Sequence, residues 1–304
     1  MMEAMENSNK TFILLGTFET SYGVRALAVS LLLLTFVVTV TANLLVMVIV
    51  AVSTDLHKPM YAFVCNLVVA DLIGCSVSLP QQLHILLTGD NRIPRSSCTA
   101  QMFWINVFIC MECLTLALLA ILTAWGLVTA ALAPLTILVT SLTLKGDGRQ
   151  MPGIFCDYSG FVRLSVGDTR VYETYILAVV VTLYALPLCV IGHTYARIII
   201  ECKRTRSSDF KHKAVHTLLT HFFLLSVFFG SLLIAVLVPR LVRDSQSVQA
   251  RNIRCVAEFV SFILPIANVS IYFFRTKELR KVAKSRLKKM IPKAFSNLRL
   301  RKAH

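Results

Sequence analysis

Residues 101–144 run for 44 positions with a single formal charge, Glu112. As one helix they would be about 66 Å long at 1.5 Å per residue. The hydrocarbon core of a bilayer is only about 30 Å thick. The run is therefore either two membrane crossings with almost no loop between them or one crossing far too long for its surroundings. How it divides decides on which side every later segment lies.

The rest of the chain has the same character. It is 56% hydrophobic, its mean hydropathy is +0.70, and the apolar residues come in blocks rather than amphipathic stripes. Seven runs are long enough to span: 26–52, 61–87, 101–122, 123–144, 174–200, 215–238 and 256–274. In lipid each must be a helix, because every backbone N–H and C=O needs a partner inside its own segment. The expected fold is all-α, a seven-transmembrane helix bundle. Residues 1–25 form an N-terminus outside the cell. Residues 26–274 form the membrane domain, with the third and fourth spans fused near 120–126. Residues 275–304 form a cytosolic amphipathic helix and basic tail. Residues 1–24 are mixed polar and the first run is of full spanning length, so it reads as an uncleaved anchor rather than a signal peptide.

The net charge of +15 is unevenly placed. With the N-terminus outside and Arg197 counted at the inner end of the fifth span, the cytosolic segments hold 19 Lys/Arg against 4 Asp/Glu. The outer segments hold 12 against 9. That excess follows the positive-inside rule. It directs the basic charge to anionic lipid at the inner leaflet rather than to nucleic acid. In the tail, Leu279, Val282, Ala283, Leu287, Met290 and Ile291 recur at helical spacing among basic residues. This is the pattern of a helix lying on a membrane surface, and it is compatible with a cytosolic partner as well. One crossing of 101–144 would turn the basic loop around Lys203 outward, whereas two crossings keep the rule. The turn is then expected at 122–126, where Gly126 is the only flexible residue.

Asn9-Lys10-Thr11 is a glycosylation sequon, usable with the N-terminus outside. Of nine cysteines, Cys98 and Cys156 share outer loops in an oxidising compartment and form the natural disulfide pair. The CxxC of Cys110 and Cys113 lies within a span, where thiols serve as small buried hydrophobes. Cys202 at the inner edge is either a palmitoylation site or a free thiol. Pro80, Pro134, Pro187 and Pro265 interrupt spans and either kink them or are simply tolerated. Asp71 lies mid-span, with Asn43 and Asn268 able to meet it. The three form either a cation or switch site or a static network. Glu112 and Glu258 face the same choice. His212 and His216 have a zinc-compatible spacing, but at a membrane edge they read more simply as solvated or packing residues. No nucleotide loop, hydrolase elbow or acid–base pair is present, so neither an enzyme nor a cofactor is expected.

Several segments resemble the olfactory (odorant) receptor family of rhodopsin-like G-protein-coupled receptors. HKPMYAFVCNLVVADL at 57–72 resembles the family's second-span signature. CTAQMFWINVFICMEC at 98–113 is similar to its third-span entry through Cys98, Gln101 and Glu112. KHKAVHTLLTHF at 211–222 resembles the start of its sixth span through Lys213, Ala214, Thr217 and His221. PIANVSIYFFRTKEL at 265–279 matches the seventh-span motif through Pro265, Asn268, Tyr272, Arg275, Lys277 and Glu278. Thr194-Tyr195 stands where the fifth span usually has Ser-Tyr. Five motifs in the right order cover nearly the whole chain.

The resemblance implies a multi-pass receptor of the cell membrane that binds a small odorant among its helices and signals to a heterotrimeric G protein. It implies a ligand pocket formed by Ile105, Asn106, Ile109 and Cys110 on the third span, with Val179, Leu183, Phe229, Leu232 and Glu258 opposite. It implies a switch and polar network of Asn43, Asp71, Tyr195, Asn268 and Tyr272. For each of these residues, helix packing alone is the alternative. The departures from the pattern are concentrated at one place. LTLALLA at 114–120 fits the third span, and ILTAWGLVTA at 121–130 resembles the interior of the fourth. The Asp-Arg-Tyr triplet and the second cytosolic loop between them are absent. Val269 replaces the seventh-span proline, Phe229 a sixth-span tyrosine, and Val166 an outer-loop cysteine. A receptor-derived chain that no longer signals (a splice form, a pseudogene product or a faulty gene model) is therefore an alternative. A transporter would show two related halves, and no such repeat is visible.

Overall fold

Long apolar runs become long helices. The computed structural model describes residues 12–15, 22–57, 59–116, 121–144, 150–151, 153–204, 219, 222–223, 225–234, 237, 247–260 and 280–282. Strand β1 (Phe12–Leu14) precedes helix α1 (Tyr22–Ala51), and a 3-10 turn at Thr54–Leu56 leads to α2 (Pro59–Thr88). Strand β2 (Arg92–Pro94), α3 (Arg95–Leu116) and α4 (Ile121–Thr140) follow. A short α5 (Tyr158–Arg163) lies in the next loop. Then α6 (Arg170–Val180) passes through a π-helical turn at Val181–Ala185 into α7 (Leu186–Arg204). Helix α8 (Leu225–Ile234) and α9 (residues 248–260) complete the described helices.

Four described helical stretches are long and apolar enough to cross a membrane: Arg25–Ala51, Tyr61–Thr88, Leu122–Thr140 and Arg170–Arg197. They turn large apolar side chains outward. Leu122 is 87% exposed and Ile137 72%. In water, continuous apolar surface of this kind would drive association. Against hydrocarbon tails it is the matching surface.

The double-length segment is a hairpin. Helices α3 and α4 have 22 and 20 residues, about 33 and 30 Å at 1.5 Å per residue, each close to the thickness of a bilayer's hydrocarbon core. Arg95 opens α3, and its guanidinium donates to the carbonyls of Thr140 at 2.6 Å and Leu142 at 2.9 Å. The start of α3 therefore lies beside the end of α4. At the other end, the Trp125 indole N–H donates to Asn66 Oδ1 at 2.8 Å and binds α4 to the first third of α2. The turn is not at 122–126. Those residues lie inside α4, and Gly126 sits on its open outer side. A glycine within a helix costs only about 1 kcal/mol relative to alanine. Burial of Ala124 and Val128 beside the Trp125 bond outweighs that cost. The residues joining the two helices, 117–120, lie outside the described part.

The prolines act differently. Pro80 and Pro134 sit within unbroken helices α2 and α4. Pro187 follows the π turn, and its ring would clash with the carbonyl four residues back, at Leu183. The wider turn at Val181–Ala185 relieves that clash by opening the helix there. Pro265 lies outside the described residues.

Three apolar clusters fill the bundle. The largest joins α3, α4, α5 and the loop from Met151 to Cys156. A second packs Val46, Val50, Leu56, Tyr61 and Val64 at the inner ends of α1 and α2, with Val282 against it. One apolar residue of the tail thus touches the bundle itself. The other tail residues nominated for a surface helix lie outside the described residues.

The outer end carries a feature the sequence did not announce. Strand β1 pairs antiparallel with β2, Ile13 opposite Ile93. Leu14 also accepts a 2.7 Å bond from the Met151 amide, and Ile13 and Leu15 are fully buried. A small sheet therefore sits on an otherwise all-α bundle.

Replacing Arg95 by Met should leave two carbonyls at the end of α4 without their donor. At about 1–3 kcal/mol for such a loss, the melting temperature in detergent should fall by several degrees. An unchanged melting temperature would mean that the hairpin is held elsewhere.

Candidate functional site

On α3, Met102, Ile105 and Ile109 recur at three and four positions and share one face, which Cys110 borders. That face is buried in the largest cluster. Leu183, in the π turn, belongs to the same cluster, and Val179, Phe229 and Leu232 pack against it partly buried. Every apolar residue nominated for a pocket thus belongs to this one cluster or packs against it. The Phe228 and Phe229 rings meet edge to face at 5.4 Å between centroids, a favoured aromatic arrangement. Asn106 is half-buried and donates to the Met102 carbonyl of its own helix at 2.8 Å.

Glu258 is engaged differently. Its carboxylate accepts from the Ile154 amide at 2.8 Å and from Arg254 Nε at 2.7 Å. Arg254 Nη2 reaches Asp157 Oδ1 at 3.1 Å. Asp157 also caps α5 by accepting from the Gly160 amide. Arg254 is 5% exposed and Glu258 9%. Burial alone would lower the Arg254 pKa, and the flanking Asp157 and Glu258 more than reverse it, so the guanidinium stays charged. Sequence reading missed Arg254 and Asp157. The i,i+4 spacing of Arg254 and Glu258 was a visible signal, whereas the reach to Asp157 was not.

The loop above the cluster is held on its other side as well. Cys98 and Cys156 form a disulfide. Gln101 accepts from the Cys156 amide at 3.0 Å and donates to the Val77 carbonyl at 3.2 Å. Gln82 donates to the Ile154 carbonyl. The Tyr158 hydroxyl lies 2.7 Å from Thr136 Oγ1, whose own proton goes to the Leu132 carbonyl. Tyr158 is therefore the donor, and burial holds its pKa up at about 12.

Of the nominated polar network, Asn43 and Asp71 are fully buried. Asn43 donates to Thr39 of its own helix at 3.0 Å, and Tyr195 is half-buried on α7. Asn268 and Tyr272 lie outside the described residues, as do Asn9, His212 and His216. The Glu112 side chain is likewise not described. Among the described residues no group of His, Cys, Asp and Glu is arranged to hold a metal ion. A separate apolar groove of about 380 Å³ lies between α2 and α3, lined by Val69, Leu72, Ile73, Ser76, Val77 and Trp104. It shares no residue with the nominated pocket.

The comparisons divide the chain at a telling place. The family profile described as "7 transmembrane receptor (rhodopsin family)" matches residues 42–121. The profile described as "Olfactory receptor" matches residues 120–290. Human olfactory receptor 10C1 is 28% identical over 96% of this chain and 99% of its own length. Mouse olfactory receptor 1M1 is 28% identical over the same shares. Human olfactory receptor 9Q2 is 28% identical over 84% of this chain and 88% of its own.

A methyl group at Gly153 would overlap the Glu258 carboxylate and crowd Arg254 Nε. Gly153→Ala should therefore lower stability by about 1–3 kcal/mol, and Gly153→Ala in a Glu258→Ala background should cost less. Equal costs in the two backgrounds, read from thermal melts, would deny the contact.

Proposed function

The chain belongs to the olfactory receptor family of rhodopsin-like receptors, and from that premise we propose how it binds and where its signalling fails. It is an odorant-type G-protein-coupled receptor, multi-pass in the membrane, and not an enzyme. Its ligand is a small, largely apolar odorant, held by Ile105, Ile109, Cys110, Val179, Leu183, Phe229 and Leu232. The observation that supports this reading is that these residues belong to, or pack against, one apolar cluster that also holds Ile154, Phe155 and Cys156. Asn106 is the polar group of that face, and ligand pockets of this kind are mostly apolar with a few polar groups. Glu258 serves the outer wall through Ile154 and Arg254 rather than the ligand.

The N-terminus lies outside and the tail inside. The charge asymmetry supports this orientation, as does the gathering of β1, β2 and the disulfide at one end of the bundle. The inner-leaflet lipid attracts the tail. Glycan at Asn9 and protection of the tail in sealed vesicles would be found together, and a tail digested from outside would reverse the assignment.

Coupling to the G protein is weak or lost. The two family matches meet at residues 120–121, where the Asp-Arg-Tyr triplet and second cytosolic loop of the family pattern are absent. Tyr195 and Tyr272 thereby lack the arginine expected to meet them. Ligand-evoked cAMP should be far lower from this chain than from one with a family-type segment inserted after Ala120, at matched surface expression. Equal responses would show that the segment is dispensable.

A further inference from the structure

The outer loop is bonded to β1, α2, α3, α4 and α9, and the bonds toward α3 and α9 differ in kind. Toward α3 the fastening is covalent, through Cys98 and Cys156. Toward α9 it is non-covalent and centred on Arg254, with Nε on Glu258 of its own helix and Nη2 on Asp157 of the loop. Glu258 adds a bond from the Ile154 amide. Residues 153–156 are all buried, so the segment closes over what lies beneath it. Cys255, next to Arg254, is 0% exposed and belongs to the same apolar cluster as Ile105, Ile109 and Leu183.

We propose that Arg254 is the positioning residue for the outer wall of the ligand pocket, and that exchange with the outside occurs where its contact with Asp157 opens. This rests on the pocket reading given above for the cluster. The disulfide cannot open during a binding event, and Gln82, Gln101 and the Tyr158–Thr136 pair hold the loop to α2, α3 and α4, so the loop parts at α9. A guanidinium suits this task. Its fixed fork directs separate N–H groups to two carboxylates at once, whereas an ammonium is a point charge. Asp157 is held ready by its cap on α5, so closing needs little further ordering of the loop. Losing the arginine leaves two carboxylates at the seam with no shared cation, and removing one partner of a buried ion pair is strongly unfavourable.

The native Cys255 thiol reports on the seam. A charged, membrane-impermeant methanethiosulfonate reagent is applied to intact cells carrying the full chain at the surface. Modification of the Cys255 peptide is followed by mass spectrometry, with Cys255→Ser as the background. The parent chain should react slowly. Arg254→Met should react about ten-fold faster or more, the ratio that loss of ~1.4 kcal/mol of local closure produces. The Cys98–Cys156 bond should remain intact in that variant. Arg254→Lys should fall between the two, because charge alone does not restore the fork. Asp157→Asn keeps the Arg254–Glu258 pair and serves if Arg254→Met fails to reach the surface. It too should react faster than the parent. An unchanged rate in the delivered variants, or a parent rate equal to that of an exposed thiol, would overturn the proposal. The probe is the reagent and not an odorant, so this result is separate from the pocket reading, which stands or falls on direct odorant binding to Ile109 and Leu183 variants.

Discussion

A peptide amide in hydrocarbon has only its own helix to bond to. That constraint governs most of this molecule. It turns each apolar run into a continuous helix, and it sets the number of crossings by comparing run length with bilayer thickness. It also makes a turn within the bilayer costly. The chain answers by dividing residues 101–144 into two helices of single-crossing length. The hairpin is then fixed at its ends by side chains acting on groups that the helices leave unsatisfied. Arg95 binds the carbonyls at the end of α4, and Trp125 finds the amide of Asn66.

The same constraint explains what was legible in the sequence. Spans and their order follow from hydropathy and charge, both local properties. The Cys98–Cys156 pair followed from sidedness, and the structure contains that bond. The division of the long segment was legible as two crossings but not in its place. Backbone flexibility pointed to Gly126, whereas packing decided. Ala124 and Val128 are buried against neighbours that local reading cannot weigh. The kink expected at Pro187 appears as a wider turn before it, while Pro80 and Pro134 leave their helices unbroken.

The candidate site divides along the same line. The α3 residues Ile105, Ile109 and Cys110 were nominated through the family resemblance, and they lie in the largest apolar cluster. Their partners Leu183 and Phe229 came the same way, and they join the same cluster. Arg254 was read as one more basic residue of an outer loop. Its role depends on Asp157, 97 residues earlier in the chain, and no periodicity reaches that far. Glu258 shows the same limit. Family resemblance nominated it for the ligand, and of its bonds to Arg254 and Ile154 the second depends on a loop 104 residues away that no local pattern reveals.

Strand β1 has a consequence for the order of assembly. It precedes every described helix, yet its partners are β2 and the backbone of Met151. Synthesis runs from the N-terminus, and segments fold as their partners appear. Residues 12–14 therefore wait while α1 and α2 are made before β2 arrives. They wait through two more helices before Met151 follows. The contacts that close the outer end are among the longest in sequence separation, and such contacts form slowly because a large loop must close first. The first-made strand is thus among the last to find its place, and a fault at the α3–α4 hairpin would show itself at the opposite end of the bundle, as an N-terminus left undocked.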